Sequence, residues 1–152
     1  MTSSRRDVMG VLIRMARKED EAAWLAIRND PEACFWSHAQ APIDPLVHTT
    51  WFAHTLNNPA DILHVAEVEG TVVGYGRVAV ARTGTVSFGV TATQRGRGIG
   101  QGLLATLDAA AQGAHITQQA WVHPSNIPSM LAFLRAGYQL GGKLGYQHLV
   151  KP

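Results

Sequence analysis

The stretch VTATQRGRGIGQGLLATLDAAA, residues 90–111, constrains this chain more than any other part of it. Glycines stand at alternate positions 96, 98 and 100, between an apolar strand-like run and an apolar helix-like run. A strand-loop-helix junction leaves unpaired backbone amides at the helix start, where the helix dipole adds positive potential. Glycines let an anion approach those amides, and Arg95 and Arg97 can add charge-assisted bonds. The junction is therefore expected to hold a phosphate. Two familiar phosphate loops fail on spacing: a Walker loop needs Gly-Lys-Ser/Thr where this chain has Gly100-Gln101-Gly102. The dinucleotide fingerprint needs a glycine three after its second, where Gln101 follows Gly98 and Leu103 follows Gly100.

Around that junction the periodicities predict a mixed α/β chain without repeats. Val11–Met15 is expected as a first strand, 18–28 as a helix ended by Asn29-Asp30-Pro31, and 45–56 as a helix capped by Asp44. His48, Phe52 and Leu56 share a face of that helix, with Trp51 beside them. Ile62–Val68 and Thr71–Val80 read as a hairpin about Glu69-Gly70, followed by a strand over 85–91. The helix after the glycines carries Leu103, Leu104, Leu107, Ala110 and Ala111 on one stripe and is expected to end at Gly113. A strand over 116–122, a helix over 127–136 and a hairpin over 138–150 about Gly141-Gly142 complete the plan.

With 152 residues, 46% of them hydrophobic, one core and one domain over 1–152 are expected, with 1–10 as a flexible tail. The single cysteine, Cys34, and the lack of zinc-ligand spacing argue against disulfides and a structural metal. Arg14 and Arg17 interrupt the apolar run that follows Arg5-Arg6, so no secretory signal is expected, nor a membrane partner, and the location expected is cytoplasmic. A net charge of +2 gives no reason to expect a nucleic-acid partner.

Gln94-Arg95-Gly96-Arg97-Gly98-Ile99-Gly100 resembles the acetyl-coenzyme A pyrophosphate loop of the GNAT family of N-acetyltransferases, with Arg95, Gly98 and Gly100 at the positions that define the family pattern. Val90, five residues before Arg95, matches the family's fourth-strand valine, and VHPSNIPSMLAFLRAGY resembles its next motif, with Asn126 at the strand-to-helix turn. The resemblance implies an α/β (α+β) domain with a central mixed, mostly antiparallel, twisted sheet of about six to seven strands and about four helices. The strands over 85–91 and 116–122, the family's fourth and fifth, are then splayed to admit the pantetheine arm, and the bulge that the resemblance implies in the fourth is compatible with Gly89. Acetyl-CoA is the implied co-substrate, bound by Phe88, Val90, Arg95, Gly96, Arg97, Gly98, Ile99, Gly100, Asn126, Ser129 and Phe133, with no metal. The Val90 amide is implied to stabilise the developing oxyanion.

The family's common tyrosine acid and glutamate base are replaced here by Phe133 and Thr85. Remaining candidates for proton transfer are His123, His48, Glu67, Ser87 and Tyr146. The segment RNDPEACFWSHAQAPIDPLVHTTWFAHTL resembles the acceptor-side helices of members that acetylate nucleotide-linked amino sugars and of those that modify ribosomal protein N-termini. Arg28, Asn29, Trp36, His48 and Trp51 are the expected acceptor-binding residues. The expected partner is a small-molecule primary amine, with an amino-sugar nucleotide favoured, a protein N-terminal amine as the alternative, and a catalytically silent acyl-CoA sensor as a third reading. The closing hairpin leaves an edge strand, compatible with a monomer or a homodimer.

Overall fold

The computed structural model describes residues 5–6, 10–37, 39–141 and 147–152. Its strands are β1 (Arg5–Arg6), β2 (Val11–Met15), β3 (Ile62–Val68), β4 (Thr71–Val80), β5 (Gly84–Val90), β6 (Gln118–Val122), β7 (Gln139–Leu140) and β8 (Gln147–Val150). The helices are α1 (Glu21–Arg28), α2 (Pro31–Trp36), α3 (Pro45–Leu56), α4 (Ile99–Gly113) and α5 (Ile127–Arg135). They build one eight-stranded sheet in the order β1-β2-β3-β4-β5-β6-β8-β7, antiparallel except for β5 against β6. The mixed, mostly antiparallel sheet is as expected, with one strand and one helix more.

The extra strand lies within the expected tail, where Arg5 and Arg6 pair with Ile13 and Leu12. The extra helix is α2. Asn29-Asp30-Pro31 ends α1 and at once starts another helix: the Asp30 carboxylate accepts from the amides of Glu32 and Ala33, and Pro31 occupies the first turn. The helix expected over 18–28 begins instead as a 3-10 turn at 18–20. Gly113 lies inside α4; the left-handed residue beyond the helix is His115, with φ 56°.

Alternation on the strands sorts the core. Val78, Val86, Ala120, Val122 and Leu149 pack with Leu104 and Leu107 of α4 and Phe133 of α5. Leu63, Val65 and Tyr75 pack with Trp24 and Ile27 of α1 and Phe52 of α3. The sheet therefore has α4 and α5 behind one side and α1 and α3 on the other.

His64 of β3 is 5% exposed, and its Nδ1 has no hydrogen-bond partner. Burial lowers its pKa, since the cation loses its hydration. Below the ordinary histidine range the unfolded chain therefore binds a proton that the folded chain resists. Stability is expected to fall as pH drops below about 6.5, by at most about 1.4 kcal/mol per pH unit for this group. Denaturant unfolding between pH 7 and 5 checks this, and His64→Leu is expected to flatten the slope.

Candidate active site

The glycine-rich loop divides its labour. Gly96 and Gly98 have φ of 77° and 80°, a left-handed backbone that favours glycine, and a Cβ on either would meet nothing within 4 Å. Gly100 has ordinary backbone; its Cβ would come within 2.8 Å of the Phe88 ring. Two glycines thus turn the chain beside open space, and the third admits an aromatic ring. The first intrahelical bond of α4 runs from the Gly102 amide to Gly98 O at 3.0 Å. The amides of Ile99, Gly100 and Gln101 precede it and have no acceptor within the helix, while the Ile99 side chain is buried as an anchor. Arg95 reaches Glu32, Asp30 at 3.5 Å and Val90 O at 3.2 Å, and Arg97 donates to Gln94. Exposed pairs such as Arg95–Glu32 contribute little, so exchanging one for an anion costs little.

Beside the loop the sheet opens. β5 and β6 pair only through Gly84↔Gln118 and Thr85↔Gln119. Beyond that junction Ser87 to Val90 have no partner on β6. The Thr91 amide donates to Val73 O and the Gly84 amide to Thr117 O, which fixes the alternation along β5. Gly84, Val86, Phe88 and Val90 point their main-chain groups away from β4, so those of Phe88 and Val90 face the opening. The bulge expected at Gly89 is absent. Register runs unbroken from Gly74↔Val90 to Val80↔Gly84, and the one shift in the neighbouring pair lies at Ala66/Glu67. Gly89 is explained by packing: a Cβ there would come within 2.7 Å of Tyr75 and 3.2 Å of Ile27.

Asn126 caps α5, its Oδ1 accepting from the Ser129 amide at 3.3 Å, while its Nδ2 donors take no part in the cap. Phe133, on the same helix, is buried edge-on to Phe88 at 5.5 Å. It therefore supports the strand rather than offering a polar group. Unexpectedly, α2 spans the opening. Its first turn is held to Arg95 after β5 through Asp30 and Glu32, and its last turn places Phe35 and Trp36 against His123 after β6, at 5.8 and 5.1 Å. Trp36 and His123 thus sit together at the mouth, and the His123 Nδ1 accepts from the Ser125 amide.

On the α1/α3 side lies a cavity of about 440 Å³. Trp24 and Arg28 of α1, Val47, His48 and Trp51 of α3, and Ile43 before α3 form one wall; Tyr75 and Arg77 of β4 and Ser87 of β5 form the other. Ser87 brings it next to Phe88, where the sheet opens. Asn29 does not line it: both ends of its amide bond the Ile43 backbone, at 2.8 and 2.9 Å, and so position that wall.

His48 is 1% exposed and lies between Trp51 and Phe52 at 5.2 and 5.9 Å. Its Nδ1 is 2.8 Å from Glu21 Oε1, which also accepts from Thr49 at 3.0 Å. The His48 hydrogen bond, more than that of Thr49, holds the Glu21 carboxyl below its ordinary range. An ionised carboxylate only accepts, so Nδ1 carries a proton, and in the neutral ring Nε2 then presents a lone pair. Nε2 is buried without a partner. Burial also raises the Tyr75 phenol, which stays protonated at neutral pH.

The structure does not bring every expected residue to this cavity. Glu67 accepts from Arg14 Nε at 3.1 Å and belongs to a buried ion cluster with Asp20. Thr85 accepts from Gln119 at 3.2 Å. Tyr146 lies outside the described residues. Glu21, Trp24, Tyr75 and Arg77 went unread in the sequence, although polar side chains at 75 and 77 of an otherwise apolar strand share one face. Among the described residues no group of three or more His, Cys, Asp or Glu is placed to hold a metal, and no helix is long and apolar enough to cross a membrane.

The sequence profile of the acetyltransferase (GNAT) family matches residues 14–138. Among solved structures, an N-acetyltransferase from Staphylococcus aureus Mu50 is 27% identical over 92% of this chain and 94% of that one, with a TM-score of 0.78. A ribosomal-protein-alanine N-acetyltransferase from Brucella melitensis is 27% identical over 91% and 95%, TM-score 0.77. A phosphinothricin acetyltransferase from Sinorhizobium meliloti, solved in complex with acetyl-CoA, shares the fold at 20% identity over 93% and 86%, TM-score 0.78. A search of curated proteins finds no match. The chain belongs to the GNAT acetyltransferase family and is an acetyl-CoA-dependent N-acetyltransferase.

Proposed function

We propose that this enzyme acetylates the primary amine of a small molecule bound in the cavity beside β5, with His48 as general base and Glu21 orienting it. The observation that carries this reading is His48, which lines a cavity that reaches Ser87, has Nδ1 fixed by a carboxylate and keeps Nε2 without a partner. An amine arrives at neutral pH as an ammonium ion and attacks only after losing a proton. Nε2 takes that proton. The nitrogen then attacks the thioester carbonyl; the C–N bond forms, the C–S bond breaks, and the nitrogen's second proton leaves with the sulfur as the free thiol. The Val90 amide faces the carbonyl oxygen as charge develops there. The amides at the start of α4 hold the pyrophosphate, and the main chain of Phe88 and Val90 pairs with the pantetheine arm.

A volume of about 440 Å³ lies in the range of small-molecule sites, which favours a compact acceptor over a protein N-terminus. Within that class an amino-sugar nucleotide is the acceptor favoured, supported by Trp51 and Arg28 on one wall. His48 supplies the base that Thr85 does not, which argues against a silent sensor.

The test is calorimetric titration with acetyl-CoA, repeated on Gly98→Val, with thiol release measured against amino-sugar nucleotides and short peptides. Valine at a φ of 80° is strained and projects into the space left open for the anion. Acetyl-CoA affinity is expected to fall at least about tenfold, with thiol release on the small amines. Unchanged affinity would overturn the loop assignment, and release with peptides alone would overturn the acceptor class.

A further inference from the structure

The acceptor cavity holds two guanidinium groups and no carboxylate among its described lining residues. Arg77 lies with its Cζ 4.9 Å from the Trp51 ring centroid and donates through Nη2 to Asp61 at 3.3 Å. Its Nε is buried without a hydrogen-bond partner. A buried guanidinium N–H left unsatisfied costs free energy, which an acceptor oxygen in the cavity would recover. Arg28, on the opposite wall, donates to the Cys34 sulfur at 3.8 Å, a weak partner for a cation. Asp61 is already committed twice, to Arg77 and to the Val80 amide at 2.9 Å. Glu21 is turned to His48 and Thr49. Both carboxylates are therefore committed, and among the described residues no carboxylate lines the cavity itself to meet Arg28.

From this we infer that the acceptor amine carries an anionic group, a phosphate or a carboxylate, gripped between Arg28 and Arg77, and that Arg77 is a specificity-determining residue. The inference rests on the proposed acceptor site and deepens it. His48 and Arg77 both line one cavity, and each holds a buried nitrogen, Nε2 and Nε, without a hydrogen-bond partner. One wants a proton donor and the other an acceptor, which is the pairing an ammonium and an anion on one small molecule present. Both charges of that molecule are met within one cavity of about 440 Å³, so its anion lies close to its amine, as in an amino-sugar phosphate, free or nucleotide-linked, or an amino acid. Neutral amines lack the group that satisfies Arg77 and are discriminated against.

Trp24 and Trp51 line the cavity, so occupancy is read by tryptophan fluorescence without turnover. The probes are two matched pairs: glucosamine 6-phosphate against glucosamine, and L-phenylalanine against L-phenylalaninamide. One charged member is expected to bind at least about tenfold tighter than its neutral partner, and which pair shows it separates phosphate from carboxylate. Arg77→Gln is expected to remove that advantage while acetyl-CoA affinity, by calorimetry, stays unchanged. Because Arg77→Gln also strips a partner from Asp61, Arg28→Gln serves as a second variant, and it too is expected to lose most of the advantage. Equal binding of charged and neutral members, no binding of any probe, or an advantage that survives both variants would overturn the inference. Loss of acetyl-CoA binding in the wild type would instead overturn the proposed function.

Discussion

Replacing His48 with glutamine is expected to lower kcat for amine acetylation about 100- to 10,000-fold, the usual range for removing a general base, with acetyl-CoA affinity unchanged. Glutamine fills much of the ring's space between Trp51 and Phe52 and can still bond Glu21, so the loss reports proton transfer more than packing. Glu21→Gln removes the ionised partner that fixes the Nδ1–H tautomer and is expected to have a smaller effect, on kcat more than on KM. Steady-state kinetics with saturating acetyl-CoA decides the matter: a kcat within threefold of wild type for His48→Gln would assign the proton to another group. Melting curves on the same preparations separate a chemical defect from a folding one.

Replacing Asp20 with alanine is expected to destabilise the fold by about 3–5 kcal/mol, because it leaves a buried cation short of its main partner. The Arg14 and Asp20 side chains are 8% and 6% exposed and meet through two bonds of 2.8 and 2.9 Å. Glu67 takes the Arg14 Nε, and the Asp20 carboxylate also accepts from the Arg17 amide at 2.7 Å. Burial alone would raise the Asp20 pKa; the Arg14 and Arg17 hydrogen bonds and their charges overcome it, and the net shift is downward. A carboxyl depressed in the folded state contributes stability that is present above its ordinary range and lost as pH falls through its folded value. Denaturant unfolding at pH 7 measures the substitution, and the difference between wild type and Asp20→Ala is expected to shrink in acid. A loss below about 1 kcal/mol at pH 7 would mean that Glu67 suffices for Arg14.

The fold was legible where local chemistry and tertiary packing agree. β2, β3 and β4 appear with the boundaries their β-branched runs suggest, and Asp44-Pro45 starts α3 where capping places it. α2 was missed because Asp30-Pro31 both stops one helix and starts the next, and a six-residue helix has little periodicity to reveal it. The turn in the glycine-rich loop was legible because a left-handed backbone at Gly96 and Gly98 favours glycine, while Gly100 answers to a ring on another strand that no local rule contains. The lining of the cavity beside β5 was half legible. Three expected residues, His48, Arg28 and Trp51, line it, whereas Glu67, a candidate base, is held by Arg14. Arg77 and Glu21 acquire meaning only when β4 and α1 meet across the cavity.

The placement of α2 bears on how much binding energy the co-substrate must spend. Prying two hydrogen-bonded strands apart would be charged against affinity, as any reorganisation on binding is. Here the separation is part of the fold itself, with Arg95 holding Asp30 and Glu32 at one end of α2 and His123 meeting Phe35 and Trp36 at the other. The helix acts as a strut between two strand ends, holding the slot ready. Shortening it, or severing both ends with Arg95→Ala and His123→Ala, would let β5 and β6 relax toward each other and turn a preformed slot into one that each incoming molecule must reopen.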